Sequence, residues 1–214
     1  MIVLTPAEMR KMDNESIADG FTSSILMEMA GRGTAELIDK NYESNELQVS
    51  IFCGKGNNGG DGFVVARFLN MWGYNVQIFF TGEAKELKEV NYTNYKIAKL
   101  QNIPIKKVKK IDNEIKLKTK KSDIIVDALL GTGIEGKPRG IYGELIDIIN
   151  TNKHSLVVAI DVPSGVNALS GEVAGKAVKA DLTATMAYYK TGLLLNPGQQ
   201  YCGEIKVIDL GMVD

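Results

Sequence analysis

LQVSIFC-GKGNNGGDG-FVVARFLNMW, from Leu47 to Trp72, decides how this chain reads. Leu47 to Cys53 is a short apolar, β-branched run, which predicts a buried strand. Gly54 to Gly62 puts five glycines, two asparagines and an aspartate into nine positions and reads as a loop. Phe63 to Trp72 is apolar at Val64, Val65, Phe68, Leu69 and Trp72, which is helical spacing. Strand, glycine-rich loop and helix together cradle phosphates. Glycines let the backbone approach an anion, and a helix N-terminus offers unpaired N–H groups and the positive end of a dipole.

Gly54 to Gly59 fits G-x-G-x-x-G in that context, a weak sign of a dinucleotide fold. A P-loop would need a Lys before Ser or Thr, which this loop lacks. A turn that merely tightens helix–sheet packing would not need Asn57, Asn58 and Asp61, so the loop recognises something.

Composition narrows the class. The 214 residues, 44% hydrophobic and 24% charged, read as one ordinary soluble domain spanning 1–214 with room for a substantial core. A net charge of −1 gives no bulk attraction to nucleic acid or to acidic membranes. Cys53 and Cys202 are the only cysteines; Cys53 reads as a buried thiol in a reducing, cytoplasmic setting. Two cysteines and one histidine cannot build the usual structural zinc site. MIVLTPAEMRKMD lacks the pattern of a signal peptide, and no apolar run reaches the ~20 residues that span a bilayer.

Thr5-Pro6-Ala7-Glu8 is a capping box that starts a helix running to about Ala18. A second helix follows, with Leu26, Met29, Ala30, Gly33 and Leu37 on one face, packed on the body or on a partner. Strands are expected at Asn75–Phe80, Ile105–Val108, Asp123–Leu130, Leu156–Ile160, Ala180–Tyr188 and Ile205–Leu210. Helices are expected at Ala84–Leu100, with Leu87, Val90, Ile97 and Leu100 inward, and at Ile141–Ile149. The lysine-rich stretch Lys106 to Lys121 reads as a solvated face. The alternation predicts an α/β fold: a doubly wound, mostly parallel, Rossmann-like sheet with helices on both faces and an added N-terminal helical layer.

Ligands of such sheets sit beyond the C-terminal strand ends. Four polar clusters are expected there: Asn57 to Asp61, Asp127 with Gly131 to Lys137, Asp161 with Ser164, and Tyr188 to Lys190. Gly131 to Lys137 spells G-x-x-x-x-G-K, but Pro138 replaces the magnesium-holding Ser or Thr, so an ATPase is rejected; Lys137 or Arg139 can still meet a phosphate. Asp161-Val-Pro-Ser164-Gly is no nucleophile elbow. His154 lies on a connection at the opposite end, which argues against a Ser-His-Asp hydrolase. Asn58, Asp127 and Ser164 are oxygen donors that suit a hard cation, unless Asp127 only braces its neighbours.

Taken together, these residues resemble the NAD(P)H-hydrate epimerase family, the YjeF N-terminal domain. The resemblance rests on Gly54-Lys-Gly-Asn-Asn-Gly-Gly-Asp61-Gly, Asp127-Ala-Leu-Leu-Gly-Thr-Gly, Asp161-Val-Pro-Ser-Gly-Val, Lys190-Thr-Gly, Asn196-Pro-Gly and Gly203-Glu-Ile to Asp209-Leu-Gly211, and it covers nearly the whole chain. It implies an isomerase that interconverts the R and S forms of hydrated NADH and NADPH at C6, serving a partner dehydratase. It implies that Asn57, Asn58, Gly59, Gly60, Asp61, Gly131, Thr132, Gly133, Ile134, Glu135, Gly136, Lys137 and Asp161 contact the hydrated cofactor. It further implies that Asn58, Asp127 and Ser164 bind a potassium ion (K+), that the chain is a homodimer, and that ATP-dependent dehydration is absent. Inversion at C6 breaks and remakes a C–O or C–N bond and shuttles a proton; Asp161 is the expected acid–base group and Lys190 the charge stabiliser or proton donor. Two other readings compete. Enhancer-of-decapping proteins use this fold for dimerisation and RNA association, which the near-neutral charge disfavours. A dehydrogenase would use Glu83 for a ribose, but no catalytic His or Tyr-x-x-x-Lys pair supports one.

Overall fold

The structure, a computed structural model, describes residues 1–42, 46–133 and 136–212. The chain begins with a two-residue strand, β1 (Val3–Leu4), then α1 (Pro6–Ala18) and α2 (Ser23–Asn41). The capping box forms as the sequence predicts: the Thr5 hydroxyl accepts from the Glu8 N–H, and the Glu8 carboxylate accepts from the Thr5 N–H. Then come β2 (Gln48–Cys53), α3 (Asn57–Met71), β3 (Asn75–Phe80), α4 (Glu89–Leu100), β4 (Ile105–Lys107), α5 (Asn113–Lys120), β5 (Ile124–Ala128), α6 (Ile141–Thr151), β6 (Leu156–Ile160), β7 (Leu182–Met186), β8 (Tyr189–Lys190) and β9 (Glu204–Ile208).

Seven strands make one all-parallel sheet in the order β4-β3-β2-β5-β6-β7-β9. The central strands are buried on both faces, with Ser50, Asp127, Thr183 and Thr185 buried among their apolar side chains. Ile51, Ile78 and Val126 face a core shared with α2, α3 and α4; Phe52, Phe79 and Ile125 face the core that holds α6. The chain runs outward from β2 through β3 to β4, then returns to the other flank of β2 and runs through β5 to β9. The strand order therefore reverses between β2 and β5, and the crevice beyond that point is the ligand position of open α/β sheets.

Four sequence expectations change. Gly54 to Gly62 is not all loop: α3 already begins at Asn57. Ala84–Leu100 breaks into a short turn at Ala84–Glu86 and α4, and α4 turns Asn91, Asn94, Tyr95 and Ala98 inward while Leu100 is exposed. Apolar periodicity points to the wrong face there because two of the inward side chains are amides. On α2 the buried face is Leu26, Met27, Ala30, Gly31, Thr34, Ala35 and Ile38 rather than one through Met29, Gly33 and Leu37, because the helix lies against α3. The lysine-rich stretch is largely exposed, as expected of a solvated face, but it holds a helix, α5, and three of its lysines are paired: Lys106 with Asp112 and Glu114, Lys107 and Lys109 with Glu83.

Among the described residues no helix is long and apolar enough to cross a membrane. Cys53 and Cys202 are both buried and free.

Candidate active site

The glycine segment sets α3 tightly on the strand ends. The Gly54 N–H donates to Ala128 O at 2.9 Å, which locks the exit of β2 onto β5. A Cβ on Gly54 would lie 1.9 Å from Leu129 O, and one on Gly59 would lie 1.8 Å from Gly54 O. Both clashes are with backbone, so nothing flexible can yield. Gly56 is the N-cap residue of α3 and has no side chain to cap it, so the N–H groups of the first turn are left to face the crevice.

Asn91, fully buried on α4, braces this segment from below. Its amide donates to Gly56 O at 3.0 Å and to Lys55 O at 3.4 Å, while its Oδ1 is buried beside Gly60 with no hydrogen-bond partner. Behind it, Arg67 forms a bidentate pair with Glu28 and donates to Asn94 Oδ1, tying α2, α3 and α4 together. Asn91→Leu should therefore raise the KM of a ligand seated on α3 with little change in kcat; an unchanged KM in steady-state kinetics would show that the brace is dispensable.

A second group joins the loops after β2, β5 and β6. Asn58 Nδ2 donates to Leu130 O at 2.9 Å, and Asn58 Oδ1 is buried without a partner. The Ser164 hydroxyl accepts from the Leu130 N–H at 2.9 Å and donates to Asp127 Oδ1 at 2.6 Å. Asp127 Oδ1 also accepts from the Leu129 N–H, and Oδ2 accepts from the Ser164 N–H at 2.8 Å. Asp127 thus does brace its neighbours, and it retains a free lone pair. Burial pushes its carboxyl up to about 6, opposed by the Ser164 and Leu129 hydrogen bonds. The oxygen donors here are an amide, a hydroxyl, a carboxylate and the Leu130 carbonyl. The orphaned Asn58 Oδ1 is what a hard cation would satisfy.

The third group lies beyond β6 and β7. Lys190 Nζ pairs with Asp161 Oδ1 at 2.6 Å and donates to Met186 O at 2.6 Å and Thr185 Oγ1 at 3.1 Å, with only 1% of the residue exposed. Asp161 has φ +66°, and the Val162 N–H closes back on Ile160 O at 2.8 Å. Ala187, with φ +57°, is bridged the same way by the Tyr188 N–H and Met186 O. These are two γ-turns of the strained, positive-φ kind at the ends of adjacent strands. One aims Asp161 at Lys190; the other turns the chain so that Lys190 points back at Asp161.

Asp61, on the first turns of α3, faces the pair. Burial pushes its carboxyl well above the usual carboxylate range; the charges of Asp161 and Asp13 add to this and Lys190 opposes it. Asp13, from α1, feels Lys190 and Asp161 and is also raised, mainly by burial.

The crevice therefore brings together Asn57 to Asp61, Gly131, Asp127, Ser164, Asp161 and Lys190. A Cβ on Gly131 would lie 3.3 Å from Asn58 Cβ. Thr132, Gly133 and Gly136 follow on the same loop; Lys137 is exposed, and its stem runs along Gly175. Ile134 and Glu135 lie outside the described residues. His154 is exposed on the connection entering β6, at the opposite edge of the sheet. Glu83 is engaged by Lys107 and Lys109, which disfavours a ribose-binding role.

Sequence reasoning missed Asp13, Asn91 and the Leu130 carbonyl. Asp13 left a signal: Met9, Asp13 and Ser16 fall on one face of α1, with Met9 and Ser16 buried. A carboxylate at a core-facing position needs a partner. The Leu130 carbonyl is backbone and leaves none.

Residues 23–192 match the family described as YjeF-related protein N-terminus. The chain is 37% identical to the NAD(P)H-hydrate epimerase of Limosilactobacillus fermentum, covering 96% of this chain and 95% of that one. It is 37% identical to the bifunctional NAD(P)H-hydrate repair enzyme Nnr of Archaeoglobus fulgidus, covering 99% of this chain and 42% of that one. The crystal structure of yeast ynu0, YNL200c, superposes with a TM-score of 0.83 at 22% identity, over 97% of this chain and 87% of that one, which shows the shared fold.

Proposed function

This chain belongs to the YjeF-related protein N-terminus family, and from that premise we propose that it is an NAD(P)H-hydrate epimerase, interconverting the R and S forms of hydrated NADH and NADPH at C6. The observation that carries this reading is the Asp161–Lys190 pair, placed beside the open N-terminus of α3 at the strand-order reversal. The α3 N–H groups and the Gly131 loop suit a pyrophosphate. The hydrated ring then lies toward β6 and β7, over the ion pair.

C6 bears a hydroxyl, a hydrogen and a bond to the ring nitrogen. Whether C–N or C–O breaks, two groups are needed. If C–N breaks, a base takes the hydroxyl proton, an acid protonates the departing nitrogen, and an aldehyde results; closure on the other face reverses both transfers. If C–O breaks, the acid protonates the departing hydroxyl, water leaves, and the base takes a proton from the water that adds to the other face. Asp161, paired with Lys190, serves as the base, and Asp61, whose carboxyl burial raises, holds the acid proton. Protons balance over each cycle, and no covalent nucleophile is used.

A potassium ion fits the Asn58, Leu130, Ser164 and Asp127 oxygens, on the strength of the orphaned Asn58 Oδ1. It would offset the Asp127 charge and hold the α3 N-terminus against the β5 loop. Potassium chloride should raise the unfolding free energy above that in tetramethylammonium chloride of equal ionic strength, by about 1.4 kcal/mol at ten times Kd. Asn58→Ala should lose that increment; equal stability in the two salts would remove the cation from the account.

The functional partner is a dehydratase that consumes the S form; the Archaeoglobus relative is named as a bifunctional repair enzyme. Two buried free thiols suit a reducing, cytoplasmic setting. An RNA-binding module is disfavoured by the near-neutral net charge of −1. The deciding experiment mixes the protein with purified (R)-NADHX and follows both forms by chromatography. Rapid equilibration establishes the activity; a background rate with the cofactor still bound overturns it.

A further inference from the structure

The N-terminal segment, expected as a layer added to the fold, is fastened to the residue that holds Asp161. β1 pairs with β8 in parallel, Val3 opposite Tyr189 and Leu4 opposite Lys190. The Tyr189 N–H donates to Ile2 O at 3.3 Å, and the Thr191 hydroxyl donates to Leu4 O at 3.2 Å. Among the described residues β8 pairs with no other strand: the two make a sheet of their own, outside the seven-stranded one.

That isolation follows from the path of the chain. β7 ends at Met186, and the Ala187 N–H still donates to Ile208 O at 2.8 Å. The left-handed turn at Ala187, φ +57°, then takes the chain off the main sheet. Backbone anchoring to the body resumes at Gly192, whose N–H donates to Ala168 O at 2.8 Å. Between these points Tyr189, Lys190 and Thr191 have β1 alongside. β1 is itself held at its far end. Thr5 follows it directly and caps α1, Pro6 fixes the backbone of the first helical turn, and Pro6 and Met9 are buried.

Lys190 needs such a hold. Its side chain is long and rich in rotamers, yet its ammonium must reach Asp161 Oδ1, Met186 O and Thr185 Oγ1 at once. Where Nζ arrives depends on the backbone from which the side chain grows. The two bonds that tie this backbone to β1 are long for hydrogen bonds, so the loss of either loosens the strand.

We propose that β1 is a positioning element of the acid–base centre and that Thr191 is the positioning residue that fastens it: the Thr191 hydroxyl, bound to the Leu4 carbonyl, fixes the backbone from which Lys190 reaches Asp161. Thr191 acts through Lys190 and need not touch the hydrated cofactor. The kinetic consequence rests on the epimerase reading of the same site, but the hold on Lys190 is a property of the protein alone.

The test compares the wild type with Thr191→Val, which keeps the shape and loses the hydroxyl, and with Thr191→Ser, which keeps the hydroxyl. Two readouts are taken: 15N NMR of the lysine ammonium groups without substrate, and steady-state kinetics. In the wild type the Lys190 ammonium, buried and held by three oxygens, should exchange its protons slowly and give a sharp signal. In Thr191→Val that exchange should quicken and the signal broaden, while kcat falls by about 10–10²-fold and KM stays put. Thr191→Ser should restore both. An unmoved ammonium signal in Thr191→Val overturns the proposal whatever the rate does, and so does a rise in KM at constant kcat. Should Thr191→Val not fold, exchange in the wild type at low urea decides. Loss of ammonium protection together with the Tyr189 amide, which donates to Ile2 O, upholds the proposal; an ammonium still protected after that amide has exchanged overturns it. Should the wild type not epimerise, the functional reading fails while the ammonium signal still decides the role of Thr191.

Discussion

Asp161→Asn should lower the rate of R-to-S interconversion by about 10²–10⁴-fold, the usual contribution of a positioned acid–base group, while the protein stays folded. Asparagine is close in shape and is among the residues that best tolerate the left-handed backbone found here, φ +66°. What it loses is the charge. An amide cannot take a proton from a C6 hydroxyl, so substrate binding should persist while turnover falls. Lys190 keeps Met186 O and Thr185 Oγ1, with Asp61 and Asp13 facing it. The stability loss should therefore stay below the about 3–5 kcal/mol expected when a buried charge is left alone. Single-turnover assays at saturating substrate, with near-UV circular dichroism to monitor packing, would check this. A variant that turns over at the wild-type rate would remove Asp161 from the chemistry.

Gly59→Ala should be the most disruptive one-methyl change in the chain's glycine motif. The added Cβ would lie 1.8 Å from the Gly54 carbonyl oxygen and 2.6 Å from its carbon. Gly54 cannot retreat, because its own Cα side is pressed against Leu129 O. The first turn of α3 must then lift off the strand ends, taking Asn58 from Leu130 and tilting the open N–H groups away from the crevice. A cost at or beyond the upper end of about 1–3 kcal/mol for overpacking follows, together with loss of cofactor binding. Gly56→Ala is the control: nothing lies within 4 Å of a Cβ there, and the backbone is ordinary, with φ −80°. Urea unfolding and calorimetric titration with the hydrated cofactor would compare the two. Equal stability for both variants would mean that the tight approach at Gly59 is not needed.

Much of the architecture is written in local chemistry. Thr5-Pro6-Ala7-Glu8 is a capping box whatever surrounds it, and it forms. QVSIFC, NVQIFF and LVVAI are runs that only a doubly buried strand can use, and all three are sheet strands. The alternation of such runs with helical periods implies parallel pairing, because a helix crossing over the sheet carries the chain back to the end where the previous strand began, so the next strand runs parallel. The glycine motif, the loop after Asp127 and the Asp161–Ser164 turn are likewise local, and parallel topology sends them to the same edge.

Three things came only with the tertiary structure. Asn91 and Asn94 face inward because Arg67 and two loop carbonyls wait for them across helix boundaries, and no periodicity encodes a partner thirty residues away. The Leu130 carbonyl joins this group because Asn58 and Ser164 both reach it, and backbone atoms carry no residue-type signal. The N-terminal segment reaches the site because a two-residue strand registers Leu4 on Lys190, nearly the whole chain apart. By itself, then, the sequence determined most of the strands and helices, that the sheet is parallel, and which loops gather at its C-terminal edge, since capping, periodicity and glycine geometry act over a few residues. Which charges meet and how far apart they stand were decided by packing, since Coulomb and desolvation energies depend on distances that only the folded chain defines.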